Sequence, residues 1–270
     1  MIGLDDLRTA RTLLFVPGSA PDRFPKAAAI RADIVVIDLE DAVAADRKSV
    51  AREAAAEWIA NGGRAIVRIN AVDTRWHTAD VDMAADLRVP VMLAKTGDPA
   101  HVNAVYARTG APVLPLIETA SGVASATSIA SRPGVARLAF GSIDYANELG
   151  VDPTDRESLL LTRSMLVLAS ATAGVAPPVD GVTTALNDPA ALTDDVAYAA
   201  RIGLPAKLCI HPRQVAPVHA ALAPTEDEIA WADRVVAAAR IDGDAVAVDG
   251  HMVDAPVVAR AERILATARR

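Results

Sequence analysis

Ionisable side chains recur directly behind short apolar runs of this 270-residue chain. Asp38 closes the run that starts at Ile34, with Glu40 and Asp41 just after it. Arg68 and Asn70 mark the end of Ala65 to Ile69, and Lys95 follows Val91 to Ala94. Glu118 follows Val113 to Ile117, Asp144 follows Val135 to Phe140, Asp180 falls in the weaker run Pro178 to Gly181, and His211 follows Ala206 to Ile210. Glu118 and Asp144 stand one to four residues past neighbouring runs, so both carboxylates can reach a common point. One or two carboxylates, completed by water and substrate oxygens, are what Mg²⁺ prefers. No His/Cys spacing suggests zinc. The alternative is local: Glu118 caps the helix behind it and Asp144 is an acid at a helix N-terminus.

Arg68 interrupts an apolar run, Val67-Arg68-Ile69. A charge there is costly unless paired. Its partner is either Glu40 or Asp41 in a structural ion pair, or a ligand carboxylate or developing enolate that a fixed guanidinium fork would suit. A buried lysine can form a Schiff base with a ketone. Lys207 precedes an apolar triplet and belongs near the start of its run, away from that chemistry. Lys95 is better placed, although a metal pair already supplies an electron sink. His211, before Pro212, is a general base or a structural hydrogen-bonder, and Cys209 belongs to the core.

Such residues need a scaffold that brings the ends of many strands together. Eight apolar runs between Thr12 and Ile210 alternate with Ala-rich amphipathic stretches. Helices are expected over 21–31, 43–60, 78–87, 99–109, 122–130, 143–149, 156–173 and 189–201. Continuous apolar runs without alternation suit a parallel sheet covered on both faces. Eight βα units fit a (β/α)₈ TIM barrel, whose chemistry sits at the carboxyl ends of its strands. A doubly wound open sheet is the alternative, but Pro17-Gly18-Ser19 is not a phosphate-binding glycine loop. The barrel is expected over residues 1–222. A C-terminal helical extension over 223–270 has a capped helix from Thr225 to Arg240, a Gly/Asp-rich link from 242 to 250 and a last helix from Pro256 to Arg269. Thr225 three residues ahead of Glu228 is a capping box.

Composition excludes other classes. The chain is 52% hydrophobic but 3% aromatic, so its core is built from Ala, Val, Leu and Ile. The formal net charge is −7 without a basic tract, which argues against nucleic acid. One cysteine rules out an internal disulfide, no signal peptide precedes Arg11, and no apolar run is long enough to span a membrane. The expectation is a cytoplasmic enzyme.

The chain resembles the citrate lyase β-subunit-like family, which includes malyl-CoA and citramalyl-CoA lyases, within the HpcH/HpaI aldolase superfamily. The likeness rests on Arg11-Thr12-Leu13-Leu14-Phe15-Val16-Pro17-Gly18, Asp38-Leu39-Glu40-Asp41-Ala42-Val43, Val67-Arg68-Ile69-Asn70 and Leu116-Ile117-Glu118-Thr119. It continues through Phe140-Gly141-Ser142-Ile143-Asp144, Asp180-Gly181-Val182, Ile210-His211-Pro212 and the segment from Gly250 to Pro256. Two departures stand in the packing: Ala94 precedes Lys95 where relatives usually have Pro, and Ala206 precedes Lys207 where Gly is common.

The resemblance implies a Mg²⁺-dependent carbon–carbon lyase that cleaves a 3-hydroxyacyl-CoA thioester (malyl, citramalyl or citryl type) to an oxo-acid and acetyl-CoA. It assigns the metal to Glu118 and Asp144, and the oxo-acid and enolate oxygen to Arg68. Glu40 and Asp41 become an acidic pair that helps hold metal-bound water. Arg11, Pro17 and Lys26 fall in the region that meets the CoA phosphates. Asp254 reaches into a neighbouring subunit's site, and the assembly is a homotrimer. A thioester hydrolase, a malate-synthase-like enzyme and a β-subunit acting only within a citrate lyase complex are the alternatives.

Overall fold

The computed structural model describes residues 2–242 and 246–269. Two compact units divide the chain, Met1–Ala221 and Leu222–Arg270. In the first, eight strands run parallel: β1 (Thr12–Pro17), β2 (Ile34–Asp38), β3 (Ile66–Ile69), β4 (Val91–Leu93), β5 (Val113–Ile117), β6 (Arg137–Phe140), β7 (Ala176–Val179) and β8 (Lys207–Cys209). Their order is β7-β6-β5-β4-β3-β2-β1-β8, and a bridge between Asp180 and Lys207 joins the two ends. Consecutive neighbours plus that closure make a (β/α)₈ barrel and exclude the open doubly wound sheet.

Strands β2, β3, β4, β5 and β6 are buried at every position, as a sheet covered on both faces requires. Inward side chains such as Leu13, Val36, Ile66, Met92, Leu114, Ala139 and Leu208 fill the barrel, with Ile2 and Leu7 of the N-terminal segment packed into the same cluster. Alanine and branched aliphatics interdigitate here, which is why so few rings suffice. Arg137, at the start of β6, is fully buried and donates to the carbonyls of Leu7, Ala10 and Pro177 at 3.3, 2.7 and 2.7 Å. Burial without a counter-ion lowers its pKa to about 10. Three carbonyl dipoles thus replace an anion and tie the short helix Leu4–Thr9 to the barrel.

Asp180 does not join the rim. It is 1% exposed and lies between Lys207 Nζ at 2.8 Å and Arg163 Nε at 2.8 Å. Burial opposes its charge, but the two cations outweigh that and hold its carboxyl below the usual range. Lys207 stands at the first position of β8, the end its place ahead of the apolar triplet implied.

Helix boundaries shift where local geometry tightens. Segment 21–31 is a 3₁₀ turn and the helix Phe24–Ala28, and 122–130 is two short helices, Ala120–Ala124 and Ala126–Ala130. The second unit holds helices Glu226–Asp242 and Ala255–Ala268 around its own small core, which includes Ala232, Val235, Val253 and Ala261. Thr225 and Glu228 cap each other reciprocally: Thr225 N–H donates to Glu228 Oε2 at 2.9 Å, and Glu228 N–H to Thr225 Oγ1 at 3.2 Å. The link expected over 242–250 lies outside the described residues at 243–245. The remainder is a hairpin, β9 (Val246–Val248) and β10 (His251–Val253), turned by Asp249 and Gly250 at φ +51° and +79°. No helix among the described residues is long and apolar enough to cross a membrane.

Replacing Asp180 by Asn leaves Lys207 buried beside a neutral group, so Asp180→Asn should cost about 3–5 kcal/mol at neutral pH in urea unfolding. The penalty should shrink as pH falls through the depressed carboxyl pKa, where the wild type also loses the pair. A loss below about 1 kcal/mol, the size of a surface pair, would contradict the buried triad.

Candidate active site

Strand register sets the site's first contact. Asp38 and Arg68 are direct partners in the β2–β3 ladder, so both side chains leave the sheet on the same face at its carboxyl end. Arg68 Nε donates to Asp38 Oδ1 at 2.7 Å and Nη2 to Oδ2 at 2.6 Å, a two-toothed pairing. Its Nη1 faces Glu40 Oε2 at 3.2 Å and Asp41 Oδ2 at 3.4 Å. The Phe15 ring of β1 lies 5.0 Å from the guanidinium carbon. These carboxylates hold the Arg68 pKa above its usual value against the effect of burial. The ion pair expected with Glu40 or Asp41 exists, but its principal member is Asp38.

Lys95 extends the pattern. Its ammonium lies 3.2 Å from Glu40 Oε1 and 2.9 Å from Asp144 Oδ2, and its main-chain N–H donates to Glu118 Oε1 at 2.7 Å. The residue sits at φ +48°, in the left-handed region, which costs on the order of 1–3 kcal/mol for a residue with a Cβ. Burial works against the ammonium, but the Asp144 hydrogen bond and the charges of Glu40 and Glu118 raise its pKa well above normal. It is therefore no source of the neutral amine that a Schiff base needs.

Glu118 lies immediately after β5 and is 3% exposed. The cap of the following helix is Thr119, whose Oγ1 accepts from Gly122 N–H at 3.1 Å, so Glu118 is not the cap. Space for its carboxyl is made by Gly141, where a Cβ would overlap Glu118 Cβ and Oε2. Burial pushes the Glu118 pKa up to about 8, although the Lys95 N–H and the Arg68 charge pull it down. Asp144, in the first turn of helix Ser142–Leu149, faces the same cavity of about 390 Å³. Asp38, Asp41, Arg68 and Pro17 share that cavity, with Phe15, Leu116, Phe140, Val182 and Ile210 among its apolar walls.

The donor set fits a hard divalent cation. Among the described residues, Asp38, Glu40, Asp41, Glu118 and Asp144 face only Arg68 and Lys95 as paired cations, and Glu118 has no side-chain cation within ion-pair distance. Among the described residues no three His, Cys, Asp or Glu side chains converge as a closed cage. Two carboxylates open to a cavity suit Mg²⁺, which keeps most of its waters or takes substrate oxygens instead.

Other expected residues fall elsewhere. Arg11 precedes β1 at its amino end, where its N–H donates to Asp33 Oδ2 at 2.7 Å. That is a strand length from Pro17, so the two do not share one phosphate contact. Lys26 is on the exposed helix after β1 and pairs loosely with Asp22 at 3.6 Å. His211 Nδ1 accepts from Arg213 N–H at 3.1 Å and caps the turn Pro212–Gln214, while burial pushes the Cys209 thiol up to about 12. Asp254, in the second unit, caps helix Ala255–Ala268 by accepting from Val257 N–H at 3.2 Å. Asp38 has no assigned role in the sequence reading, because its pairing with Arg68 is set by the β2–β3 register, which residue order does not display.

Comparison with known proteins agrees with the geometry. Residues 11–212 match the family described as HpcH/HpaI aldolase/citrate lyase. A citrate lyase subunit beta-like protein of Mycobacterium tuberculosis is 36% identical, over 93% of each chain. A (3S)-malyl-CoA thioesterase of Cereibacter sphaeroides is 35% identical, over 96% of this chain and 94% of its own. Among solved structures, the CitE protein of M. tuberculosis with magnesium, acetoacetate and coenzyme A superposes with a TM-score of 0.87 at 35% identity, covering 97% of this chain and all of the other.

A carboxyl with pKa near 8 is mostly protonated at neutral pH and must lose that proton to ligate a cation. Mg²⁺ affinity of EDTA-stripped protein should therefore rise about ten-fold per pH unit up to pH 8 and level off above it, as read by calorimetry. A flat profile from pH 6 to 8 would show that no carboxyl raised to about 8 takes part in holding the ion.

Proposed function

Because the chain belongs to the HpcH/HpaI aldolase/citrate lyase family, we propose that it is a Mg²⁺-dependent lyase that cleaves a 3-hydroxyacyl-CoA thioester of the malyl, citramalyl or citryl type to an oxo-acid and acetyl-CoA. The observation that carries this reading is the pairing of Glu118 and Asp144 on one cavity with Arg68 fixed across from them. Magnesium binding by the CitE relative supports the cation, and coenzyme A in the same complex supports the thioester.

Glu118 and Asp144 would hold the ion, which when bound acidifies a substrate hydroxyl and draws charge onto oxygen. The C3 hydroxyl proton passes to the Glu40–Asp41 pair through water; burial raises the Glu40 pKa, and the neighbouring Asp41 adds to it, which favours acceptance. C3 becomes a carbonyl carbon as the C2–C3 bond breaks, and that electron pair forms the thioester enolate. Arg68, locked by Asp38, presents a fixed positive edge to the developing oxyanion. Asp254 or a water returns a proton to C2 and completes acetyl-CoA. The reverse direction is a Claisen-type condensation. Asp254 lies in the second unit, Leu222–Arg270. We assign it to a neighbouring copy's site in a homotrimer, with Pro17 and Lys26 at the rim that meets the coenzyme A moiety.

A second reading, thioester hydrolysis, is favoured by the likeness to (3S)-malyl-CoA thioesterase. Both follow from the same acidic pair: water activated by Glu40 and Asp41 can attack the thioester carbonyl instead. The products separate them, since cleavage gives acetyl-CoA and hydrolysis gives free CoA with the hydroxy acid intact.

Glu118→Ala should lower Mg²⁺-dependent turnover of the purified protein by at least about 100-fold, more than the loss of an outer-shell partner. Unchanged turnover would overturn the assignment. Co-expressing Glu118→Ala with Asp254→Asn should restore part of the activity in mixed oligomers. If the two variants stay as inactive together as apart, Asp254 does not act across subunits.

A further inference from the structure

Lys95 is the one cation of the site that the mechanism leaves without work. Its ammonium is the only basic group within ion-pair distance of Asp144 among the described residues, and it bridges from there to Glu40. We propose that Lys95 is the resident counter-cation of the metal site: in the metal-free protein it neutralises Asp144 and Glu40, and a divalent ion binding at Asp144 displaces it. This rests on the reading that Glu118 and Asp144 hold the ion.

The two cations of the cluster are built differently. Arg68 is gripped through two nitrogens by Asp38, with its side chain 11% exposed. The Lys95 side chain is 39% exposed and is held by single contacts to two carboxylates, so its ammonium can exchange protein oxygens for water without a large desolvation change. Its backbone is the fixed part. The left-handed conformation aims the main-chain N–H at Glu118 Oε1, a bond that does not involve the side chain.

Residue 95 therefore touches both proposed metal ligands, one through a permanent main-chain bond and one through a releasable side chain. Without the ammonium, Asp144 and Glu40 would share the rim with Glu118 and no mobile positive charge. With it, the empty site is tolerated, and an incoming ion gains only the charge it brings beyond the one it replaces. A monovalent ion replaces Lys95 without gain, while a divalent ion adds one charge. Lys95 thus lowers absolute affinity and sharpens preference for divalent cations.

The test measures Mn²⁺ binding to EDTA-stripped, full-length oligomer by electron paramagnetic resonance, with Mg²⁺ as competitor. Wild type, Lys95→Met, Lys95→Gln and Glu118→Ala are compared, and each is also melted with and without saturating Mn²⁺. Removing the ammonium should tighten Mn²⁺ binding about five-fold or more. It should also lower the metal-free Tm more than the metal-loaded Tm. A merely structural lysine would lower both melting temperatures equally and leave binding unchanged or weaker, and that result in both Lys95 variants overturns the proposal. If wild type binds no Mn²⁺, or Glu118→Ala binds it as wild type does, the metal reading itself falls and takes the exchange with it.

Discussion

A chain of alternating charges at the carboxyl end of the barrel holds the site together: Asp38, Arg68, Glu40, Lys95 and Asp144, each within 3.2 Å of the next. It is assembled from β2, β3, the loops after β2 and β4, and the helix after β6, so it joins half the barrel across one opening. Carboxylates exceed cations in it, and Glu118 stands beside it as an acid that burial keeps partly protonated. Such a cluster is expensive to desolvate and gives little net stability. Its persistence at a cavity, rather than in the core, is what a divalent cation and an anionic intermediate would require.

The opposite end of the barrel solves the same electrostatic problem differently. Arg137, at the start of β6, is satisfied there by three carbonyls; at the β7–β8 closure the Asp180 carboxylate is paired with Lys207 and Arg163. Each of these charges meets a partner within the chain, although among the described residues Arg163 Nη1 is buried without a hydrogen bond. Shape separates the ends too: small branched side chains close the middle of the barrel, while Phe15, Phe140 and Ile210 stand back around an open cavity at the carboxyl rim.

The barrel was legible because strands buried on both faces read as unbroken apolar runs. Glu118 and Asp144 were legible because they sit at the ends of adjacent runs. What escaped was set by register and reach. Asp38 looks like the last residue of a strand until its pairing with Arg68 is known. Lys95 reaches Glu118 through a backbone conformation that sequence patterns do not display. Asp180 ends a run as Glu118 nearly does, yet the β7–β8 closure turns it to Lys207. Arg11 shares a motif with Pro17 but stands at the other end of the same strand. The β9–β10 hairpin carried a usable signal, Asp249-Gly250, whose paired positive φ values suit a two-residue turn.

The most direct measurement is product analysis by mass spectrometry. EDTA-stripped wild-type protein is incubated with malyl-, citramalyl- and citryl-CoA, with and without Mg²⁺. Acetyl-CoA and the matching oxo-acid should appear together from at least one thioester, and only when Mg²⁺ is supplied. Turnover indifferent to EDTA, or release of free CoA with the hydroxy acid intact, would contradict a metal-dependent carbon–carbon lyase.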